Sequence, residues 1–226
     1  MVRFLKECYM SVRSLLLIVL SCCVSALASA QGMPDVKLPP SPAGQAAIQV
    51  GGTWAKTAEG GQTYRDGKWI VVDYGRPLLR GRKEIFGTAA DYGTFVNAGA
   101  PVWRAGANNT TRLTTQASLQ IGGKTIAPGV YNVFVDLKPG NWTLVLSTQP
   151  VQEQFDPNDK VRLSGATNYD AKFDVLRVPM SVRTGEASVE QFTIGFINVS
   201  DTRATLSMAW DRTLATVDLT VVAASK

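Results

Sequence analysis

The chain of 226 residues contains no histidine. That absence removes Ser-His-Asp and Cys-His nucleophilic catalysis, histidine acid-base chemistry and histidine-ligated zinc. Cysteine is nearly as scarce. Cys8, Cys22 and Cys23 are the full set, and all lie close to the N-terminus. Long apolar runs are missing too. The longest, Leu15 to Leu20, is broken by Ser21, Cys22, Cys23 and Ser25 before it reaches the roughly 17–25 residues a membrane helix needs. No window carries a convincing helical stripe.

Those gaps frame what the N-terminus does contain. Arg3, Lys6 and Arg13 precede the short apolar run, and Ala28-Ser29-Ala30 follows it. Basic residues, a short apolar stretch and small residues in that order predict a secretory signal over residues 1–30, cleaved before Gln31. A second outcome stays open. Val19-Leu20-Ser21-Cys22 resembles a lipoprotein processing box, which would place a lipid anchor on Cys22. Cleavage before Gln31 would leave a mature chain without thiols or disulfides, stable through its core alone. The expected location is extracytoplasmic, periplasmic or secreted, with membrane attachment only through that lipid.

The net charge of +5 reflects 23 Lys and Arg against 18 Asp and Glu. Residues 1–30 hold three of the basic residues and Glu7, so the remainder keeps 20 basic and 17 acidic, a net +3. That excess is too small and too dispersed for a nucleic-acid partner. Its dense spot is Arg76, Arg80, Arg82 and Lys83.

Residues 31–47 hold four prolines without any period and predict a flexible linker, with the folded domain spanning 48–226. Two-residue alternation then recurs. Trp69 to Tyr74 is apolar on both faces, which predicts a central strand. Ala117, Leu119 and Ile121 share one face, and so do Tyr131, Val133, Val135 and Leu137. Trp142, Leu144 and Leu146 follow the Lys138-Pro139-Gly140-Asn141 turn. Phe192 to Phe196, Leu206 to Trp210 and Val217 to Val221 repeat the pattern, and Asp211-Arg212 predicts a hairpin tip between the last two. The phase slips near Val175, which predicts a bulge. Gly51-Gly52 and Gly122-Gly123 follow similar strands and predict two hairpins with one turn chemistry. The fold expected is all-β: an antiparallel sandwich, jelly-roll-like, of about eight to ten strands.

Several stretches form a recognisable order. Tyr74-x-Arg76-Pro77 leads to Gly81-Arg82 and Phe86-Gly87. Trp103-Arg104-Ala105-Gly106-Ala107-Asn108 comes next, then Gly129-Val130-Tyr131, the hairpin Trp142, and Trp210-Asp211-Arg212. Over roughly residues 68–222 this resembles the bacterial domain of unknown function 2911 family. The resemblance implies a β-rich extracytoplasmic domain and brings no established activity. Asn109 stands where the family often has an acidic residue, and the stretch Asp91 to Pro101 is longer than usual.

Arg76, Arg82, Trp103, Arg104 and Asn108 are the candidate ligand-binding residues. Arginine forks take carboxylates and phosphates bidentately, and a tryptophan can stack a sugar ring. The opposing reading is structural, and it is the favoured one. In it Arg104 pairs with Glu84 or Asp73 beneath a core Trp103. Asp136, Asp174, Asp211 and Asp218 lie on or beside strands, but alternation and turns account for them, so no catalytic residue is assigned. The Asp156-Pro157-Asn158-Asp159 segment reads as an exposed turn rather than a calcium loop. No cofactor and no metal is expected. The leading expectation is a non-catalytic binding module for a glycan, a small anion or an envelope component. The alternatives are an assembly partner of an envelope protein and a carboxylate-dependent hydrolase.

Overall fold

The computed structural model describes residues 37–222. The expected signal, Cys22 and the first part of the linker lie outside the described residues. The compact unit begins at Leu38. Its first strand, β1 (Ala43–Val50), starts earlier than the expected boundary at Ile48. Ala43 to Ala47 look like linker in sequence because they are small and lack alternation. They are strand because every one of them pairs with β4 (Lys68–Gly75).

Among the described residues twelve strands form, against the eight to ten expected. Between β1 and β4 a separate hairpin, β2 (Thr53–Lys56) and β3 (Gln62–Arg65), stands as its own two-stranded sheet. Gly51-Gly52 is therefore no hairpin turn. It is a bend between two sheets, with Gly51 at φ 65. Next come β5 (Arg112–Thr115), β6 (Ser118–Ile121), β7 (Lys124–Ile126), β8 (Gly129–Asp136) and β9 (Thr143–Ser147). The chain ends with β10 (Asp174–Pro179), β11 (Ser181–Ile197) and β12 (Arg203–Val222).

Two antiparallel sheets make the sandwich. The larger has the order β1-β4-β5-β8-β9-β10 and the smaller β11-β12-β6-β7. Val72, Leu113, Val133, Leu144 and Leu176 from the first meet Leu119, Phe192, Ile194, Leu206 and Met208 from the second in one buried cluster. Burial of side chains this size stabilises by about 1.5–3 kcal/mol each. The Gly122-Gly123 pair does turn a hairpin, β6 to β7, with both glycines at positive φ. The slip near Val175 is a bulge, since Asp174 pairs with Ser147 and Leu176 with Leu146.

Three local expectations differ from the structure. Trp69 is exposed: β4 lies inside the sheet order, but only Ile70, Val72 and Tyr74 reach the core. Asp211-Arg212 is not a hairpin tip. It lies within the continuous β12, where Asp211 sits at φ 50 and the register to β11 slips. A local kink and a hairpin leave the same break in alternation. Strand β8 is buried on both faces rather than one. Phe134 and Val145 on the outer face are covered by Leu163 and Ala166 from the loop after β9. Buried Gln149 holds that loop, donating to the carbonyls of Val161 (2.8 Å) and Asn168 (2.7 Å).

Candidate functional site

Trp103 extends the large sheet past the end of β5. Its N–H donates to Val135 O (2.9 Å) and its carbonyl accepts from Val135 N–H (2.8 Å). The ring is only 1% exposed. It stacks on Trp210 at 6.2 Å between ring centres and meets Phe86, Trp142 and Phe192 edge-on. Aromatic pairs of this kind add about 0.5–1.5 kcal/mol beyond their buried area. Tyr92, from the long stretch before Trp103, accepts the Trp142 indole N–H at 2.8 Å.

After Trp103 the chain must turn back at once, and the Arg-Ala-Gly-Ala-Asn sequence supplies the means. Ala105, Gly106 and Asn108 all have positive φ. The turn docks on the end of β4, and the approach is close. A Cβ on Gly106 would meet Gly75 O at 2.8 Å, and one on Gly75 would collide with Ala107 O. Gly106 of the recognisable order and Gly75, at its open position, thus serve backbone contact. Thr111 clamps the turn, its hydroxyl donating to Ala105 O at 2.9 Å.

Within this turn Arg104 donates from Nη1 to Asn108 O at 2.7 Å. Its guanidinium lies against Gly165, where any Cβ would strike it. Asn108 donates from its side-chain amide to Ser41 O at 3.0 Å, which ties the segment before β1 to the turn. Burial pushes Arg104 below the ordinary arginine value. No carboxylate offsets that cost. The expected pairing with Glu84 or Asp73 is absent: among the described residues no ion pair involves Arg76, Arg82 or Arg104. Asp73 instead accepts from Gln45 Nε2 at 2.7 Å, and Glu84 is an exposed turn residue at φ 49.

Arg82 donates to the carbonyls of Leu78 and Leu79 and lies 5.2 Å from the centre of the Phe95 ring. Such a cation–π contact at an exposed site is worth about 0.5–1 kcal/mol. Arg82, Trp103, Arg104 and Asn108 line one cavity of about 330 Å³, with Phe95 and Trp210 also in its wall. Arg76 is not among the lining residues. Its stem covers Gly44, its Nε is buried without a hydrogen-bond partner, and its backbone holds Pro42 and Gln191. Four of the five candidates therefore converge, and the fifth supports the edge of the sheet.

Phe95 and Val96 escaped the sequence reading. They sit on a single helical turn, Thr94–Asn97, inside the stretch noted only as long. Trp210 was visible in the order of motifs but not as a neighbour of Trp103, because the contact crosses between sheets.

Asp136, Asp174, Asp211, Asp218 and Asp159 have internal partners. Asp136 and Asp174 share Arg177, and Asp174 also accepts from Tyr169 at 2.6 Å. Burial and that hydrogen bond push the Tyr169 phenol well above its usual value. Asp211 accepts from Ser188 (3.0 Å) and Asp218 from Thr205 (2.7 Å). Asp159 accepts from the N–H groups of Val161 and Arg162, both at 2.9 Å, and pairs with the Arg162 side chain. These bonds lower Asp159 to about 2 and make its segment a tight turn. Among the described residues no three or more carboxylates group as metal ligands, and no helix is long and apolar enough to cross a membrane.

A family model described as protein of unknown function (DUF2911) matches residues 56–219, well over half of the chain. No curated protein and no solved structure matches it.

Proposed function

We propose that this chain, which belongs to the family of proteins of unknown function DUF2911, is a non-catalytic binding module for a small anion. The observation that carries the reading is two guanidiniums without carboxylate partners in the wall of one cavity. A half-buried arginine normally has a counter-charge, because an uncompensated charge in low dielectric is costly. Arg104 has only a carbonyl. A carboxylate or phosphate entering the cavity would supply the missing charge to both arginines through short charge-assisted bonds. Phe95, Trp103 and Trp210 leave room in the same wall for the apolar body of such a ligand.

The carboxylate pairings weigh against a hydrolase built on Asp136 and Asp174. Those two converge on Arg177 rather than on a space for substrate and water. Extracytoplasmic placement belongs to the same proposal and rests on the basic, apolar and small-residue order of residues 1–30. Intact-mass analysis of the protein made in a bacterial host tests that part. A product beginning at Gln31 or at a lipid-bearing Cys22 supports it, and a product retaining residues 1–30 contradicts it. Calorimetric titration of the full chain with inorganic phosphate and with benzoate tests the site. Saturable binding to either, weakened at least tenfold in Arg82→Gln while that variant still melts cooperatively, is the expected result. Absence of binding to both would overturn the assignment.

A further inference from the structure

A second, larger recess lies beside the arginine cavity. It occupies about 650 Å³ between the outer face of the large sheet and the loop after β9. Ser41, Ala107 and Asn108 line both spaces, so the Gly-Ala-Asn turn forms the partition between them. The chemistry on the two sides differs. The arginine cavity has cationic side chains without carboxylates. The recess has Asp73, Glu153, Arg112 and Asn109 around it and Phe155 at its rim.

We propose that this recess is a saccharide site, taking a neutral sugar unit against Phe155. Three observations carry the inference. The first is Phe155 itself, 72% exposed on a loop that is nonetheless fixed. Gln152 holds both ends of that loop. Its Oε1 accepts from Asp156 N–H (2.9 Å), and its Nε2 donates to the carbonyls of Asp159 (3.4 Å) and Arg162 (3.1 Å). Asp159 closes the same loop through two backbone N–H groups. An exposed aromatic held by so many bonds is a pre-organised platform, which lowers the ordering cost of binding.

The second observation is the pairing of Asp73 with Arg112. They are direct partners across β4 and β5, so their side chains stand side by side on one face of the sheet. Yet they form no ion pair, and among the described residues the Arg112 side chain has no hydrogen-bond partner. A carboxylate beside a guanidinium, both open to a recess, offers an acceptor and a donor at adjacent points. Vicinal hydroxyls need that combination, since each hydroxyl both donates and accepts.

The third is charge. Asp73 and Glu153 outnumber Arg112 in the lining, which disfavours an anion there. The donors Arg112 and Asn109 disfavour a simple cation. A neutral polyol ring with one apolar face fits an aromatic rim and mixed polar walls. This site stands apart from the anion reading and does not depend on it.

The experiment is a titration of the full chain, labelled with ¹⁵N, with four disaccharides: cellobiose, maltose, lactose and N,N′-diacetylchitobiose. Glycerol serves as a polyol without a ring face. At least one disaccharide should shift the amides of Asn109, Arg112, Glu153 and Phe155 saturably, while glycerol leaves them still. Phe155→Ala should weaken that binding about tenfold or more and leave the melting curve unchanged. Asp73→Asn should weaken it without moving the Arg82 and Arg104 resonances. Silence toward all four disaccharides overturns the proposal, and so does equal binding by Phe155→Ala. Response of the recess amides to inorganic phosphate but not to any sugar overturns it as well. A phosphate response confined to Arg82 and Arg104 belongs to the other cavity and leaves the sugar result to decide.

Discussion

Arg104 donates to the carbonyl of Asn108 at 2.7 Å, and among the described residues no carboxylate lies within ion-pair reach of it. This relationship sets the energetics of the turn. A buried ion pair cut in half would cost about 3–5 kcal/mol. Here Arg104→Ala removes one charge-assisted hydrogen bond, worth about 1.5–3 kcal/mol, and also removes an uncompensated charge that opposes folding. The two effects partly cancel. Urea denaturation should therefore show a loss of no more than about 2 kcal/mol. A loss of the buried-pair size would reveal a counter-charge that the structure does not place there.

Gly75→Ala should be more damaging than Gly81→Ala. Gly81 belongs to the recognisable order, and Gly75 fills its open position between Tyr74 and Arg76. Gly81 has φ 78 with open space around it, so alanine meets only the left-handed backbone cost of roughly 1–2 kcal/mol. Gly75 would drive a Cβ into the Ala107 carbonyl, and backbone cannot swing aside as a side chain can. Overpacking of this kind costs about 1–3 kcal/mol and here would also displace the turn that carries Arg104 and Asn108. Paired thermal melts give the order, and ligand titration should show Gly75→Ala alone losing affinity.

Acid should loosen the loop under Phe155 through Asp159. Its folded value of about 2 lies below the ordinary carboxylate value. A depressed carboxylate contributes stability that is present above the unfolded value and lost as pH falls through the folded one. The contribution is thus whole above about pH 4 and fades between there and about pH 2. Carbon-detected titration of the Asp159 carboxyl should give that low midpoint. Asp159→Asn should flatten the acid limb of loop exchange protection and lower the neutral-pH protection toward the acid value.

Much of the fold was legible because alternation survives wherever one face of a strand is solvated. Leu119 and Ile121, or Leu144 and Leu146, read directly as core, and the Val175 bulge was marked by its phase slip. The failures have particular causes. Ala43 to Ala47 carry little hydrophobic signal, and only their pairing with β4 makes them strand. The kink at Asp211 and a hairpin tip look alike in one dimension. Phe134 is covered by a loop distant in sequence, a contact that strand periodicity cannot announce. At the site, four of the five candidates, Arg82, Trp103, Arg104 and Asn108, line one cavity, although a structural role was the favoured expectation, and Arg76 is sheet-edge support. Asp218 lies exposed on a solvent face, as alternation implied. It accepts from Thr205, so Asp218→Ala should cost about 0.5–1.5 kcal/mol in thermal denaturation rather than nothing.

The most direct test of the anion cavity is the side-chain Nε–H resonances of Arg76, Arg82 and Arg104 during phosphate titration of the full chain. Arg82 and Arg104 should move together along one saturation curve, because one ligand would satisfy both, while Arg76, outside the cavity wall, stays in place. Movement of all three in proportion to ionic strength, without saturation, or stillness of Arg104 at saturating phosphate, would contradict the account.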